Sequence, residues 1–317
     1  MRESVVVNSG TALKDLIAGQ RDSLVLIGGG GTGKSSIVQR AIDSAAAADL
    51  GTLVLKGQRL NHSEPYAALE DVVPLDLLER LLDSPSRFDK LAARHALVEG
   101  LNPGLLIVEA AQWIDSATIT LLATIAAGVT PDGFRMMIAH RPRTADQHLA
   151  ALDEALAVRN RPLVVSRLDE QDAATEFTNS AIGIFDEQVV DRLVVQVGGQ
   201  PALIASVIAS AAQDPSAFAA WLEGAPCPVL LLESIRSRVG HLSPEARELV
   251  LTLSFGASPT SAELGELLQF DDPETIATAA TELEDEGLLM DDGNDVIPLI
   301  ADVATLLQPP IERRRHH

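Results

Sequence analysis

The chain has 317 residues, 46% of them hydrophobic but only 3% aromatic, and carries 24 basic against 45 acidic side chains, a net charge of −21. That length allows two or three domains at about 150 residues each. The composition demands cores of Ala, Leu, Ile and Val, and the acidic balance argues against nucleic acid as the chain's main partner, because phosphate contacts need basic surface. One cysteine, Cys227, excludes a disulfide framework and a Cys-rich metal site. No apolar run of about 18 residues suggests a membrane span, and the opening "MRESVVVNSG" lacks the regions of a signal peptide. The expected location is the cytoplasm.

In chain order, five short apolar runs come first: "SLVLI" (23–27), "TLVLK" (52–56), "LLIVE" (105–109), "RMMIA" (135–139) and "PLVVS" (162–166). Runs apolar throughout suit strands buried on both faces of a parallel sheet. Helical patterns separate them, including "KSSIVQRAIDSAAAA" and "SATITLLATIAAG". This alternation predicts a doubly wound α/β domain with a five-stranded parallel sheet over residues 1–167. Three helical stretches then predict a small helical domain over 168–225. "GAPCPV" (224–229) marks a hinge. Over 226–317 several helices precede "LLMDDGNDVIPL", two short strands around a turn, and predict a winged-helix-like domain. Ser243-Pro244-Glu245 and Asp272-Pro273-Glu274 each place a cap residue before a first-turn proline.

The densest motif is "GGGGTGKSS": Gly28, Gly29, Gly30, Gly31, Thr32, Gly33, Lys34, Ser35 and Ser36. It reads as G-x-x-x-x-G-K-S, a P-loop, and as G-x-G-x-x-G, a dinucleotide fingerprint. A dinucleotide site needs an acid at the end of the second strand to hold the ribose. Lys56 stands there, which disfavours NAD and leaves NADP open. Lys34-Ser35 decides for the P-loop, in which glycines let backbone N–H groups wrap phosphates. Lys34 would reach the β/γ-phosphates and the Ser35 hydroxyl would ligate Mg²⁺. Glu109, closing "LLIVE", is the candidate second metal-shell acid. The next residue, where a water-activating group often stands, is Ala110, which takes no proton. Gln112 and Asp115 are the other polar groups nearby.

These stretches resemble the ATPase module of the STAND class of AAA-like P-loop proteins, nearest to that of the large ATP-binding LuxR-type transcription regulators. "LVLIGGGGTGKSSIV", "GQRLNHSEPYAALEDVV", "LLIVEAAQWIDSATITLLATI", "RMMIAHRP" and "GGQPALI" carry the likeness. The resemblance implies ATP or ADP with Mg²⁺ as ligands, Arg141 as the arginine of a sensor strand and Pro201 near adenine. It makes Trp113 and Asp115 counterparts of a Trp-x-Asp pattern. It also implies two adjacent acids after the third strand, where this chain has Glu109 and Ala110. The family's repeat sensor and C-terminal helix-turn-helix are missing from the sequence, so the chain is either a piece of a longer protein or a short relative.

The resulting expectation is a nucleotide-dependent switch with weak or absent hydrolysis, in which Lys34, Glu109 and Arg141 form the catalytic set. Two alternatives remain: an active ATPase that remodels a partner, and a nucleotide-free interaction scaffold. Expected partners are another protein or the chain's own further modules, and a nucleotide-dependent oligomer. Direct nucleic-acid binding is not expected, because no Lys or Arg lies between Arg247 and Arg313.

Overall fold

The computed structural model describes residues 9–83, 85–99, 101, 103–128, 131–142, 147–157, 162–165, 167–168, 170–180, 185–254, 273–290 and 295–306. Contacts divide the chain into two compact units. The first is 1–28 with 33–165, and the second is Gly29–Thr32 with 166–317.

The first unit holds five strands, β1 (Ser23–Ile27), β2 (Gly51–Lys56), β3 (Gly104–Glu109), β4 (Phe134–His140) and β5 (Leu163–Val164). They pair in parallel in the order β2-β3-β4-β1-β5. The expected α/β fold with a five-stranded parallel sheet is therefore present. Side chains along the central strands alternate with the pleat between two buried faces. Leu105 and Ile107 of β3 face one core, with Leu24, Leu26, Met137 and Ala139. Leu106 and Val108 face the other, with Val25, Met136 and Ile138. Helices α1 (Ser9–Ile17) and α2 (Lys34–Ala47) supply the first core. The second is covered by α3 (Leu75–Asp83), α4 (Arg87–Glu99), α5 (Ser116–Ala127) and α6 (Gln147–Ala157).

One expectation needs correction. "TLVLK" reads as a strand buried on both faces, yet only Leu55 of β2 is fully buried and Val54 is 39% exposed. β2 is an outer strand, paired on one side by β3, so helices cover it less completely than its central neighbours.

The second unit is helical: α7 (Glu170–Asn179), α8 (Glu187–Val197), α9 (Pro201–Gln213), α10 (Pro215–Leu222), α11 (Val229–Gly240), α12 (Pro244–Leu253), α13 (Pro273–Asp285) and α14 (Pro298–Leu306). A single apolar cluster runs from Ala173 to Val303. Asp186, Asp214 and Ser243 cap α8, α10 and α12 by accepting from Val189, Ala217 and Ala246 N–H. The cap at Ser243 follows the sequence pattern, while Asp272 lies outside the described residues. Leu289 bridges Val296 antiparallel, and Met290 N–H donates to Asp295 and Ile297 N–H to Leu288. These pairings are the described part of the expected hairpin. The stretch "SAELGELLQF" lies outside the described residues.

Candidate functional site

The glycine run leaves β1 and enters α2, the placement a phosphate loop needs. Gly28 N–H donates to the His140 carbonyl at 3.3 Å, tying the start of the loop to the end of β4. Lys34 arches back, and its Nζ donates to the Gly28 carbonyl at 2.6 Å. Gly31 and Gly33 hold φ of 73° and 95°, left-handed backbone that a residue with Cβ enters at about 1–2 kcal/mol. Gly33 starts α2 and its carbonyl takes the Ile37 N–H. The first-turn amides of α2 thus have no intrahelical acceptor, and the positive end of the helix points into the loop. Lys34, Ser35 and Ser36 stand on that turn, with both serines exposed. This is the donor set an anionic phosphate requires.

The tip of the loop, Gly29–Thr32, belongs to the second unit. Gly30 N–H donates to the Asp285 carbonyl at 2.7 Å, and Ala202 N–H to the Gly31 carbonyl at 3.1 Å. Gln200, fully buried, donates from Nε2 to the carbonyls of Gly30 at 3.0 Å and Gly287 at 2.6 Å. Arg238 Nη1 donates in turn to Gln200 Oε1 at 2.8 Å. Burial lowers the Arg238 pKa, and Glu286 opposes that shift. The fit is close: a Cβ on Gly30 would lie 2.4 Å from the Glu286 carbonyl, and one on Gly287 would lie 2.1 Å from the Gly30 carbonyl. Pro201 occupies the first turn of α9, beside these bonds. Thr32 Oγ1 donates to the Gly29 carbonyl at 2.9 Å.

Along the sheet edge, β1, β4 and β3 are consecutive neighbours. Gly28, Arg141 and Glu109 follow in that order at their ends, two strand spacings or about 10 Å across. Glu109 is half-buried and lies 3.8 Å from Lys56 Nζ. Lys56, which disfavours NAD in the sequence, is therefore the carboxylate's neighbour. Ala110 has φ 53° and ψ 46°, a left-handed conformation. Its carbonyl receives Trp113 N–H at 2.8 Å. A Cβ on Gly57 would lie 2.2 Å from that same oxygen.

Asp115 serves structure. Its Oδ1 accepts from Thr118 N–H, capping α5, and from Tyr66 N–H, both at 2.8 Å. It thereby fastens the Glu64-Pro65-Tyr66 segment to the segment after β3. Burial, with the Asp115 charge second, raises the Tyr66 pKa. Gln112 accepts from Arg141 N–H at 3.2 Å. Trp113 lies under the Arg59 guanidinium, 4.9 Å from the ring centroid, and edge-on to His62.

Three participants escape sequence reading. His140 is buried and bonds Asp153 Oδ1 through Nε2 at 3.1 Å; a histidine ending an apolar strand was its only signal. Gln200 had the signal of preceding Pro201. Arg238 had none, because its role depends on where α11 packs.

Neither a protein-family model nor a curated protein matches the chain. Among solved structures, a Walker-type ATPase of Pyrococcus abyssi superposes with a TM-score of 0.60 at 13% identity, over 96% of this chain and 97% of that one. This is the P-loop NTPase fold. Two further similar structures are a STAND protein of Pyrococcus horikoshii with a tetratricopeptide repeat sensor (TM-score 0.45, 16% identity, 99% of this chain, 44% of that one) and the ORC1 protein of Aeropyrum pernix in complex with DNA (TM-score 0.49, 14% identity, 96% and 93%).

Proposed function

We propose that the chain binds ATP or ADP with Mg²⁺ at residues 28–36 and works as a nucleotide-dependent conformational switch in signal transduction, with weak or absent hydrolysis. The observation that carries this reading is the engagement of the loop tip: the Gly30 N–H, a donor a phosphate would use, is bonded to the Asp285 carbonyl. Phosphate and Asp285 compete for one donor, so bound nucleotide and the described packing of the tip exclude each other. A ligand that prefers one of two arrangements shifts the population between them.

Lys34 would neutralise phosphate charge, and Ser35 with Glu109 would hold the magnesium ion. Among the described residues no group of three or more His, Cys, Asp or Glu side chains could hold a metal ion. The rest of the magnesium shell would therefore come from phosphate oxygens and water, as is usual for this ion. Arg141 would sense the γ-phosphate and Pro201 would contact adenine. Weak hydrolysis rests on Ala110, which offers no base, and on Asp115, whose Oδ1 is committed to two backbone N–H groups. The region after Arg247, with no base before Arg313, suits docking to protein rather than to DNA.

Likeness to a Walker-type ATPase favours the second reading, an active ATPase acting on a partner. Identifying the nucleotide that copurifies, then measuring single-turnover hydrolysis, separates the two. Turnover near 1 s⁻¹ or faster, inside the usual enzyme range, would overturn the switch with weak hydrolysis. Absence of any ATP- or ADP-dependent rise in melting temperature, where saturation at about 100 Kd adds about 2.7 kcal/mol, would overturn nucleotide binding itself. Lys34→Ala is expected to abolish that rise while lowering ligand-free stability only by the one bond to the Gly28 carbonyl, about 1 kcal/mol.

A further inference from the structure

Strand β4 runs beside β1 in register, from Met136 opposite Ser23 to His140 opposite Ile27. Arg141 therefore stands beside Gly28, one residue beyond the last pair. There the ladder stops, and side chains take up the backbone groups it leaves. Gln112 Oε1 accepts the Arg141 N–H at 3.2 Å. His140 Nδ1 lies 2.8 Å from the Arg141 carbonyl oxygen. These two bonds hold the peptide groups on both sides of the Arg141 Cα. The two planes between them set φ and ψ, the only soft backbone angles of a residue. They thereby set the direction in which the Arg141 side chain leaves the chain.

The His140 ring is 2% exposed, and both of its nitrogens have partners. A carbonyl oxygen only accepts, so Nδ1 carries a proton and donates it to Arg141. Nε2 lies 3.1 Å from Asp153 Oδ1 on α6. That contact needs a proton between nitrogen and oxygen, because two lone pairs facing each other at this distance repel. Which nitrogen does what in a histidine is set by the bond the other makes, so Asp153 orients the ring and the ring holds the arginine backbone. Burial denies the ring water as an alternative partner, so a lost contact leaves a polar group unsatisfied. His140 also joins the glycine loop directly, since its own carbonyl accepts the Gly28 N–H at 3.3 Å. All of these residues belong to the first unit.

We propose that His140 is a positioning residue of the nucleotide site: oriented by Asp153, its Nδ1–H holds the Arg141 carbonyl and fixes the angle at which Arg141 meets a γ-phosphate. The proposal rests on the reading of Arg141 as the γ-phosphate sensor. A displacement of about 0.5–1 Å takes a donor out of hydrogen-bond range, so freeing the backbone at residue 141 costs the contact while the guanidinium is still present. The ring has two separable jobs. Nε2 ties α6 to the end of the sheet, and Nδ1 serves Arg141.

Calorimetric titration of the full-length chain with ADP and with the β,γ-imido analogue of ATP, both with Mg²⁺, tests this, because only the analogue carries a γ-phosphate. The parent is expected to prefer the analogue by about tenfold, the worth of one charge-assisted hydrogen bond. Arg141→Gln should abolish that preference. His140→Asn keeps a donor near the Nδ1 position, and His140→Gln keeps one near the Nε2 position. The preference is expected to persist in His140→Asn and to fall to within about twofold in His140→Gln. A ring that merely ties α6 to the sheet would give the reverse order, and that result would overturn the proposal. Nitrogen-15 NMR of the imidazole in the nucleotide-free parent is a second measurement that needs no variant to fold. A proton on Nδ1 is expected, and a ring unprotonated there would overturn the proposal. A preference lost in Arg141→Gln but kept in His140→Gln would overturn this inference alone and leave the sensor reading standing. A preference that survives Arg141→Gln, or a parent that binds neither ligand, would overturn both.

Discussion

Ala110 joins the strongest sequence anomaly to an unusual backbone. The position follows Glu109, where the resemblance implies a second acid, and it sits at φ 53° and ψ 46°. Asp and Asn enter this region several-fold more readily than other residues with a Cβ, so an acid suits the conformation better than alanine does. The backbone is held there from two sides, by the Trp113 N–H to Ala110 carbonyl bond at 2.8 Å and by the close approach of Gly57. Ala110→Asp should therefore keep the fold, with a stability change within about 0.5 kcal/mol. Ala110→Gly removes a left-handed strain of about 1–2 kcal/mol and adds about 0.5–1 kcal/mol of chain entropy cost. The net gain is about 0.5–1 kcal/mol, a rise of roughly 1–4 °C in melting temperature. If the missing acid limits hydrolysis, Ala110→Asp should speed single-turnover ATP cleavage by about 10²–10⁴-fold, the usual worth of general-base help, and Ala110→Gly should leave it unchanged. Rapid quench with labelled ATP reads the rate, and thermal melting checks the fold. An Ala110→Asp protein that melts normally, binds ATP and hydrolyses no faster than the parent would refute the assignment of a base to this position.

Asp115→Ala removes the cap of α5 and the acceptor for Tyr66 N–H together. A loss of about 2–3 kcal/mol is expected from one cap and one buried unpaired donor, read by urea melting, and a loss below about 0.5 kcal/mol would contradict the structural role. Gln200→Ala strips partners from the Gly30 and Gly287 carbonyls and from Arg238. It should destabilise the nucleotide-free protein by about 2–4 kcal/mol and tighten apparent nucleotide affinity, because the arrangement that competes with phosphate is weakened; weaker nucleotide binding in calorimetry would contradict this. With its pKa raised to about 11, Cys227 should react with iodoacetamide at pH 8 about 100-fold more slowly than an ordinary thiol. The rate should keep climbing with pH well above 9, since only the thiolate attacks, and a plateau near pH 9 would rule out the burial effect.

Much of the first unit was legible because its signals are local. Apolar runs of five or six residues, separated by helical periodicity, imply a parallel sheet whichever order the strands take. Lys34 after a glycine run shows where phosphate would sit, since few other uses require that spacing. The edge strand was misread for the same reason: "TLVLK" looks like its neighbours, and nothing within five residues shows that only one side is paired. Asp115 was legible as a polar group near the site but not as the anchor of Tyr66, because that partner lies 49 residues away.

Sequence by itself determined the glycine loop, the strand that leads into it, the helix dipole behind it and the lack of a proton acceptor at Ala110. All depend on residue types within one short segment, where chain connectivity imposes the geometry. Only the tertiary structure decided what the loop tip touches. Gln200, Arg238 and Asp285 lie between 170 and 255 residues beyond Gly30 in the chain, and a glutamine, an arginine and a backbone carbonyl carry no signal of their own. Their meaning comes from burial, which leaves each polar group to find its partner inside the protein.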